Sequence, residues 1–514
     1  MLWIALHLPQ LSLESLAAAL PAELRQMPLA LVEARQIAAL NASAQAAGIR
    51  LGMKRATAQG LAPQLVTAPA DPVRDAQALQ AVLHAGLAFT PSVAAQPPQA
   101  MLLEVQASLR YFGGLAALLQ RLRAVLAPLG HVLQIASAPT AQGALLLARR
   151  AAPGGECHCA DRVALQRALA GAPPWLLDAG RAHADALQGM GLRTLADLKR
   201  VPRAGLARRF GEALLDELDR TLGARPDPRD WVVLPPVFET RLELFARADS
   251  AEQVLHGTGV LLARLAAWLA AQHAFARRFT LTLQHESRQR RADRPPDTAI
   301  EIALAASSRD IAHLMLLLRE RLARTPLAAP ALELALRCDD IARAPPPSGE
   351  LFASAQGERE GLVRLVERLQ ARLGRSQVLR PLRLHDHRPE RASALQAVDA
   401  AALPGDGQAR GGRPGRGGEA PHAITRPVWL VEPPQPLPAD RREQPLLDGA
   451  ALQLLSGPER IEAGWWDQEE RALAGRDYFI AQAADASLVW IYRLRLPDLA
   501  ASAASGWFLH GRFG

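Results

Sequence analysis

The chain has 514 residues, 49% of them apolar, a formal net charge of +8 at pH 7 and a sequence pI of about 10.2. That apolar share excludes a disordered chain and suffices for three or four domains, whereas the basic balance is weak support for a polyanionic partner, because Arg- and Ala-rich compositions carry such charge without one. Three cysteines, two of them in Cys157-His158-Cys159, exclude a disulfide framework and point to a reducing cytoplasm. No second ligand pair at zinc spacing accompanies that cluster, which reads as a loop. No stretch is expected to reach the roughly 20 apolar residues of a membrane span. The apolar N-terminus is broken at Pro9-Gln10 and preceded by no Lys or Arg, so it is not expected to be a signal peptide.

Leu2 to Leu8 is a short apolar run of the kind that forms a fully covered strand, and Ser12 or Ser15 can cap the helix that follows. Leu29 to Val32 reads as a strand, and Ala38 to Leu61 as Ala-rich helix broken at Gly48-Ile49-Arg50-Leu51-Gly52-Met53. Met101 to Val105 is strand-like, with Ser108 to Phe112 continuing it to a Gly113-Gly114 turn. Helix Leu115 to Leu126, strand Val132 to Ala136 and helix Gln142 to Arg150 then complete a ferredoxin-like β-α-β-β-α-β order.

Trp175 to Pro228 reads as short helices centred on Leu187-Gln188-Gly189-Met190-Gly191-Leu192-Arg193-Thr194-Leu195, a helix-hairpin-helix pattern. Gly189 and Gly191 let the turn approach a phosphate, Arg193 adds charge, and Thr194 caps a helix whose free N–H groups face the anion. From Phe238 the topology repeats: strand Thr240 to Phe245, helix Glu252 to His273, strands Arg278 to His285 and Ala299 to Leu304, helix Arg309 to Arg324, strand Ala331 to Leu336. Alternation in Arg278 to His285 leaves one face polar, with Arg277, Arg278, Arg288, Arg290 and Arg291 around it.

Beyond Arg343, Ala344 to Gly349 is a stiff Pro-rich linker, followed by Glu350-Leu351-Phe352 and a helix, Glu360 to Leu373. Pro404 to Gly418 is a Gly- and Arg-rich tether that cannot bury a core. Trp429, Trp465, Trp466, Trp490 and Trp507 follow it, too many large rings for a solvated tail. Either a small folded module or a surface that folds on a partner accounts for them, and Trp465, Trp466 and Trp507 are the candidate partner anchors.

These stretches resemble the Y-family, translesion DNA polymerases. In that family the first strand ends in Asp-x-Asp, where this chain has His7 and Pro9, and an Asp-Glu pair precedes a later strand, where it has Gln99 and Ala100. A Tyr and an Arg that grip the incoming triphosphate correspond to Ala42 and Gln45, and Ala138-Pro139-Thr140-Ala141 matches Ala-Pro-Thr-Lys with Ala141 and Leu145 at the phosphate-facing lysines. Glu104 falls at a later Asp and reads as a solvent-facing strand residue. The resemblance implies an α+β fold with palm and fingers over 1–170, a helix-hairpin-helix thumb over 171–235 and a little finger over 236–343. A linker with a clamp-peptide candidate spans 344–418, and 419–514 is a C-terminal partner-binding region.

It also implies loss of catalysis, with no metal or cofactor. A proline cannot ligate magnesium, and neutral imidazole suits a hard cation poorly. Gly457-Pro458-Glu459-Arg460-Ile461-Glu462-Ala463-Gly464-Trp465-Trp466-Asp467, Arg476-Asp477-Tyr478-Phe479 and Trp507-Phe508-Leu509-His510-Gly511 are similar to the tails of the inactive Y-family relatives found in bacterial mutagenic translesion cassettes. That likeness implies a cytoplasmic, nucleoid-associated adaptor of the DNA damage (SOS) response. Its partners would be primer-template DNA, the sliding clamp, a RecA-related protein of the ImuA type and an error-prone C-family polymerase, with Glu350, Leu351 and Phe352 as a degenerate clamp peptide. Two other readings stay open: an active polymerase with other carboxylates, such as Glu14 or Glu33, and a structural DNA-binding protein without recruitment.

Overall fold

Strand β1 (Trp3–His7) is apolar up to His7 because both of its faces are covered: Trp3 and Ala5 enter one core, Ile4 and Leu6 another. The computed structural model describes residues 1–286, 295–343, 355–400, 426–464, 474–495 and 505–513. They fall into two compact units, Met1–Arg372 and Leu373–Gly514.

In the first unit β1 feeds α1 (Leu11–Ala19), whose N-cap is Gln10 rather than a serine. Ser12 and Ser15 lie inside the helix and donate to Asp75 instead, Ser15 Oγ at 3.0 Å. A small sheet in the order β3-β2-β4 follows, built from β2 (Leu29–Glu33), β3 (Gln36–Leu40) and β4 (Val66–Pro69), with α2 (Ala42–Ala46) and α3 (Arg55–Leu61) between the last two. The stretch 38–61 therefore begins as strand and not as helix. Asn41 sets the change: its Oδ1 accepts from Leu29 N at 3.0 Å and from Ala44 N at 2.9 Å, tying the strand end to the cap of α2.

Helix α4 (Pro72–Leu87), capped by Asp71, returns the chain to β5 (Val93–Gln96) and β6 (Ala100–Glu104). Residues 109–112 then form a helical turn rather than more strand, closed by Gly113 at φ 81°. After α5 (Leu115–Leu126) come β7 (Gln134–Ala138), α6 (Ala141–Arg150) and β8 (Glu156–His158), giving a five-stranded sheet in the order β5-β6-β1-β7-β8. With β1 between β6 and β7 this is the ferredoxin-like arrangement, plus β8 as a parallel edge. Cys157 and His158 are thus in a strand and not in a loop. The pleat turns Cys157 toward the core and His158 to the opposite face, where Nδ1 meets Ser137 Oγ at 3.0 Å.

One face of this sheet is packed by α4 and α5, the other by α6 and by the helices α7 (Arg162–Ala170), α8 (Ala184–Gly189), α9 (Leu195–Arg200), α10 (Arg203–Phe210) and α11 (Glu212–Leu222). Gly143 lets α6 approach α11 closely. A Cβ there would stand 2.7 Å from Leu165 Cδ2 and 3.0 Å from the Thr221 carbonyl, to which Thr140 Oγ1 donates at 2.7 Å.

A second sheet follows, built from β9 (Phe238–Ala248), β10 (Phe275–His285), β11 (Asp297–Ser308) and β12 (Ala331–Ala342), with α12 (Ala251–Ala271) and α13 (Ile311–Leu322) in its crossovers. The element order repeats the first sheet but the topology does not. Here the order is β11-β10-β12-β9, so the first strand is an edge where β1 is central. Helix α12 also corrects the membrane expectation: it is long and apolar enough to cross a bilayer. Its Leu261, Leu265, Trp268 and Leu269 are instead buried against the sheet, so it is a core helix. Last in this unit, α14 (Ala355–Leu373) buries Val363 and Val366. Its Glu367 accepts from His313 Nε2 at 3.0 Å and from the edge amide of Ala305 at 2.6 Å.

The second unit opens with a hairpin of β13 (Leu379–Arg383) and β14 (Ser393–Ala397), in a stretch that composition assigns to linker. Its main sheet is five-stranded, in the order β15-β21-β20-β19-β18, from β15 (Trp429–Leu437), β18 (Gln453–Ala463), β19 (Ala474–Gln482), β20 (Leu488–Leu494) and β21 (Trp507–Arg512). A two-residue hairpin, β16 (Leu446–Leu447) and β17 (Ala450–Ala451), lies between β15 and β18. Alternation sends Val489, Ile491, Trp507 and Leu509 into one core and Tyr478, Trp490, Tyr492 and Phe508 into another.

Candidate nucleotide cleft and nucleic-acid interface

In the first unit β1 and β6 bring His7 and Ala100 together as cross-strand partners, and Leu8 N donates to the Gln99 carbonyl at 2.8 Å. Beside them opens a cleft of ≈ 1440 Å³ between the five-stranded and three-stranded sheets, lined by Pro9, Gln99, Gln45, Arg50 and Asp75 among others. The four positions expected to have lost metal ligands thus converge on one place. What they present is an imidazole, a proline, an amide and a methyl.

His7 turns toward Gln134. Its Nδ1 lies 2.6 Å from Gln134 Oε1, and burial, aided by Arg149 and Arg181, lowers its pKa. Ala100, Ala141 and Leu145 are at most 2% exposed, so apolar packing fills the positions where carboxylates and lysines belong. Of the nearby acids, Glu33 and Asp75 line the cleft, and Asp75 and Glu14 are already engaged. Asp75 accepts from Ser12 and Ser15, and Glu14 accepts from Val132 N at 3.0 Å and meets His131 Nδ1 at 3.1 Å. Glu104 pairs with Trp3, about 13 Å along the strand from Ala100. Among the described residues no group of three or more His, Cys, Asp or Glu could hold a metal ion.

The hairpin differs from its sequence reading in one respect. Thr194 caps α9 as expected, accepting from Asp197 N at 3.1 Å, but Asp197 completes a capping box. Its Oδ2 accepts from Thr194 Oγ1 at 2.8 Å, Thr194 N at 2.9 Å and Arg193 N at 3.2 Å, and these bonds, the hydroxyl's first, lower the Asp197 pKa. The Arg193 and Thr194 amides are therefore occupied by a carboxylate of the chain itself, and the first amide of α9, Leu195 N, donates to the Ala172 carbonyl. Gly191, at φ 77°, makes the turn, whereas Gly189 is the last residue of α8, and the Arg193 side chain is exposed.

The second sheet is a further correction. On its outward face Arg241, Arg278 and Arg337 stand among Glu239, Glu243, Asp297, Glu301, Glu333 and Asp339, so the described part of that face is acidic in balance. Each of those arginines is also ion-paired: Arg241 with Glu239 at 3.5 Å, Arg337 with Asp339 at 3.2 Å, Arg278 with Asp340 at 3.8 Å. Arg277 is exposed beside Arg278 because the β10–β11 register shifts there. Arg288, Arg290 and Arg291 lie outside the described residues, as do Glu350, Leu351, Phe352, Trp465 and Trp466.

In the second unit the tail motifs meet in one buried cluster. Arg476 Nη1 donates to Glu390 Oε2 and to the Tyr478 hydroxyl, both at 3.0 Å, and that hydroxyl lies 2.8 Å from His510 Nδ1. Tyr478 stacks on Trp490 with centroids 4.0 Å apart. His510 is fully buried, and burial first, then Arg476, holds its pKa at about 4. Burial works to raise Glu390, but the Arg476 guanidinium overrides it and lowers the pKa. Trp507, expected as a surface anchor, is 5% exposed and donates from Nε1 to the Glu443 carbonyl at 3.1 Å. It is a core ring. The tail buries its own aromatics within its sheet, and Glu390, from a stretch taken for linker, supplies the charge partner of Arg476.

The impB/mucB/samB family matches residues 12–149. Protein ImuB from Caulobacter vibrioides, in strains NA1000 / CB15N and ATCC 19089 / CIP 103742 / CB 15 alike, is 29% identical over 486 residues, 91% of this chain and the whole of the relative. The chain is an ImuB-like protein. Its polymerase-type body has the mixed α+β fold of the Y family. Similar solved structures are a Dbh ternary complex, at 16% identity, TM-score 0.39, covering 67% of this chain and 100% of that one, and DinB from Sulfolobus solfataricus, at 17%, 0.38, 66% and 99%. In the ImuB-like chain the cleft thus opens beside His7, Pro9, Gln99 and Ala100, the positions that the sequence resemblance aligns with metal ligands.

Proposed function

We propose that the ImuB-like chain is a non-catalytic, DNA-holding adaptor of translesion synthesis and damage-induced mutagenesis. It links the sliding clamp, an ImuA-type RecA-related protein and an error-prone C-family DNA polymerase, and that polymerase performs the synthesis. One observation carries the reading: the cleft persists while Pro9 and Gln99 line it and Ala100 packs beside it. Two-metal phosphoryl transfer needs clustered carboxylates to hold both cations and stabilise the attacking and leaving oxygens. Glu14, Glu33 and Glu104 are not clustered there.

The purified chain is accordingly expected to extend no primer with magnesium or manganese. Template-dependent extension that survives removal of contaminating polymerases would overturn the reading.

Recruitment is assigned to the chain beyond the polymerase-like body. Support comes from the tail motifs and from apolar side chains left at the surface of the second unit, Trp429 at 70% exposure and Leu454 and Leu455 at nearly half. For the clamp, Leu351 and Phe352 act as peptide anchors. Changing both to Ala is expected to cost about 2 kcal/mol or more of clamp affinity, read by titrating the full chain against the clamp. Unchanged affinity would move the site, though not to Gln444-Pro445-Leu446-Leu447, where Leu447 is a core residue at 8% exposure.

A further inference from the structure

Four cations crowd one border of the small β3-β2-β4 sheet. Arg35 sits in the β2–β3 turn at φ 67°, after Ala34 at φ 48°. Its carbonyl accepts from Arg55 N at 3.0 Å, and Gln36 forms a bridge with Lys54, so Arg35, Lys54 and Arg55 share one tip. Arg50 begins the tight turn closed by Met53 N on its carbonyl at 3.3 Å, and it lines the cleft. All four are exposed and none is ion-paired among the described residues. The neighbouring carboxylate, Glu33, is likewise exposed and unpaired.

Folding alone does not account for this grouping. Lys54 is the N-cap of α3 and Arg55 its first residue, so two positive charges stand at the positive end of a helix, the reverse of what the macrodipole favours. The outward face of the second sheet shows the contrast, since Arg241, Arg278 and Arg337 there are each paired with a carboxylate.

We propose that Arg50, Arg35, Lys54 and Arg55 form a binding site for the phosphate backbone of single-stranded nucleic acid, leading away from the mouth of the cleft. The inference rests on the DNA-holding reading above and adds a place and a substrate class to it. Three cations on one tip and a fourth at the cleft are a small cluster, which suits one strand's phosphates. Leu51, 66% exposed beside Arg50, offers an apolar contact to an unstacked base, which a duplex does not present.

The test uses the full chain and fluorescence anisotropy over a salt series, with an oligothymidylate and a blunt duplex as probes. Combining Arg35→Asn, Lys54→Gln and Arg55→Gln removes three phosphate contacts, and Asn tolerates the left-handed backbone at position 35. The slope of log affinity against log salt for the single strand should become shallower by about 2, with at least about a tenfold loss at low salt. Blunt-duplex binding should stay within about twofold, and Arg35→Lys with Arg55→Lys should restore the single-strand slope. An unchanged slope, or an equal loss on both probes, overturns the inference while leaving DNA holding intact, as does a wild-type chain that binds the duplex and not the single strand. A wild-type chain that binds neither overturns both.

Discussion

Returning the family's carboxylate by Ala100→Glu is expected to destabilise the first unit by about 3–5 kcal/mol, the usual cost of a buried charge without a partner. Ala100 is 2% exposed and its cross-strand partner His7 is already turned to Gln134, while Arg149, the stronger of the two cations acting on His7, is paired with Asp178. Burial would raise the pKa of the new carboxyl, so the folded state would bind a proton the unfolded chain has released. The deficit should therefore grow as pH rises from about 5 to 8. Denaturant unfolding of the variant at those two pH values checks both magnitude and sign. A variant as stable as the parent would mean that the site still accommodates a carboxylate, and the argument for lost catalysis would weaken with it.

In the second unit, Trp490→Ala is expected to cost about 3–5 kcal/mol, as large-to-small changes at fully buried aromatics do. Trp490 is 1% exposed and stacks on Tyr478 and, at 5.8 Å, on His510. A loss of that size is a large share of ordinary domain stability, and should lower the unit's melting transition by roughly 10 °C or more. The transition of the first unit should not move. Trp429→Ala, at a ring 70% exposed, serves as the control and should leave both transitions in place.

The same cluster fixes the pH response. His510 is held neutral, its pKa lowered from 6.5 to about 4, so the unfolded chain takes up a proton there before the folded one does. Its contribution is complete above pH 6.5 and is lost as pH falls toward 4. Glu390, also lowered, adds a loss in the acid range below it. The second unit should accordingly weaken on acidification from neutrality, and His510→Gln should flatten that dependence.

The sequence disclosed the first sheet well because its strands are short apolar runs separated by Gly and Pro, and β1 is apolar on both faces. Ala38–Leu40 was misread because alanine suits strand and helix alike when packing decides, and the deciding group, Asn41, acts through bonds to Leu29 N and Ala44 N that no periodicity reveals. That His7, Pro9, Gln99 and Ala100 meet at one place needed the structure, since only the β1–β6 pairing brings them together. The surfaces were not legible either. Whether Arg278 is a free cation depends on Asp340 across the sheet, and whether the amides of the hairpin are free depends on how Asp197 turns. The row at Arg35 was hidden for the same reason: Arg35 and Arg55 are neighbours only because a hairpin turn and a loop meet.

The edges of the sheet in the second unit also bear on how copies of the chain meet one another. Strand β15 carries Pro433, Pro434 and Pro436, which have no N–H to offer, and at the other border β18 is bent by register shifts between Leu454 and Glu459. Neither border is a flat template for another strand. Strand-by-strand addition of one copy to another is thereby disfavoured at both borders of this sheet.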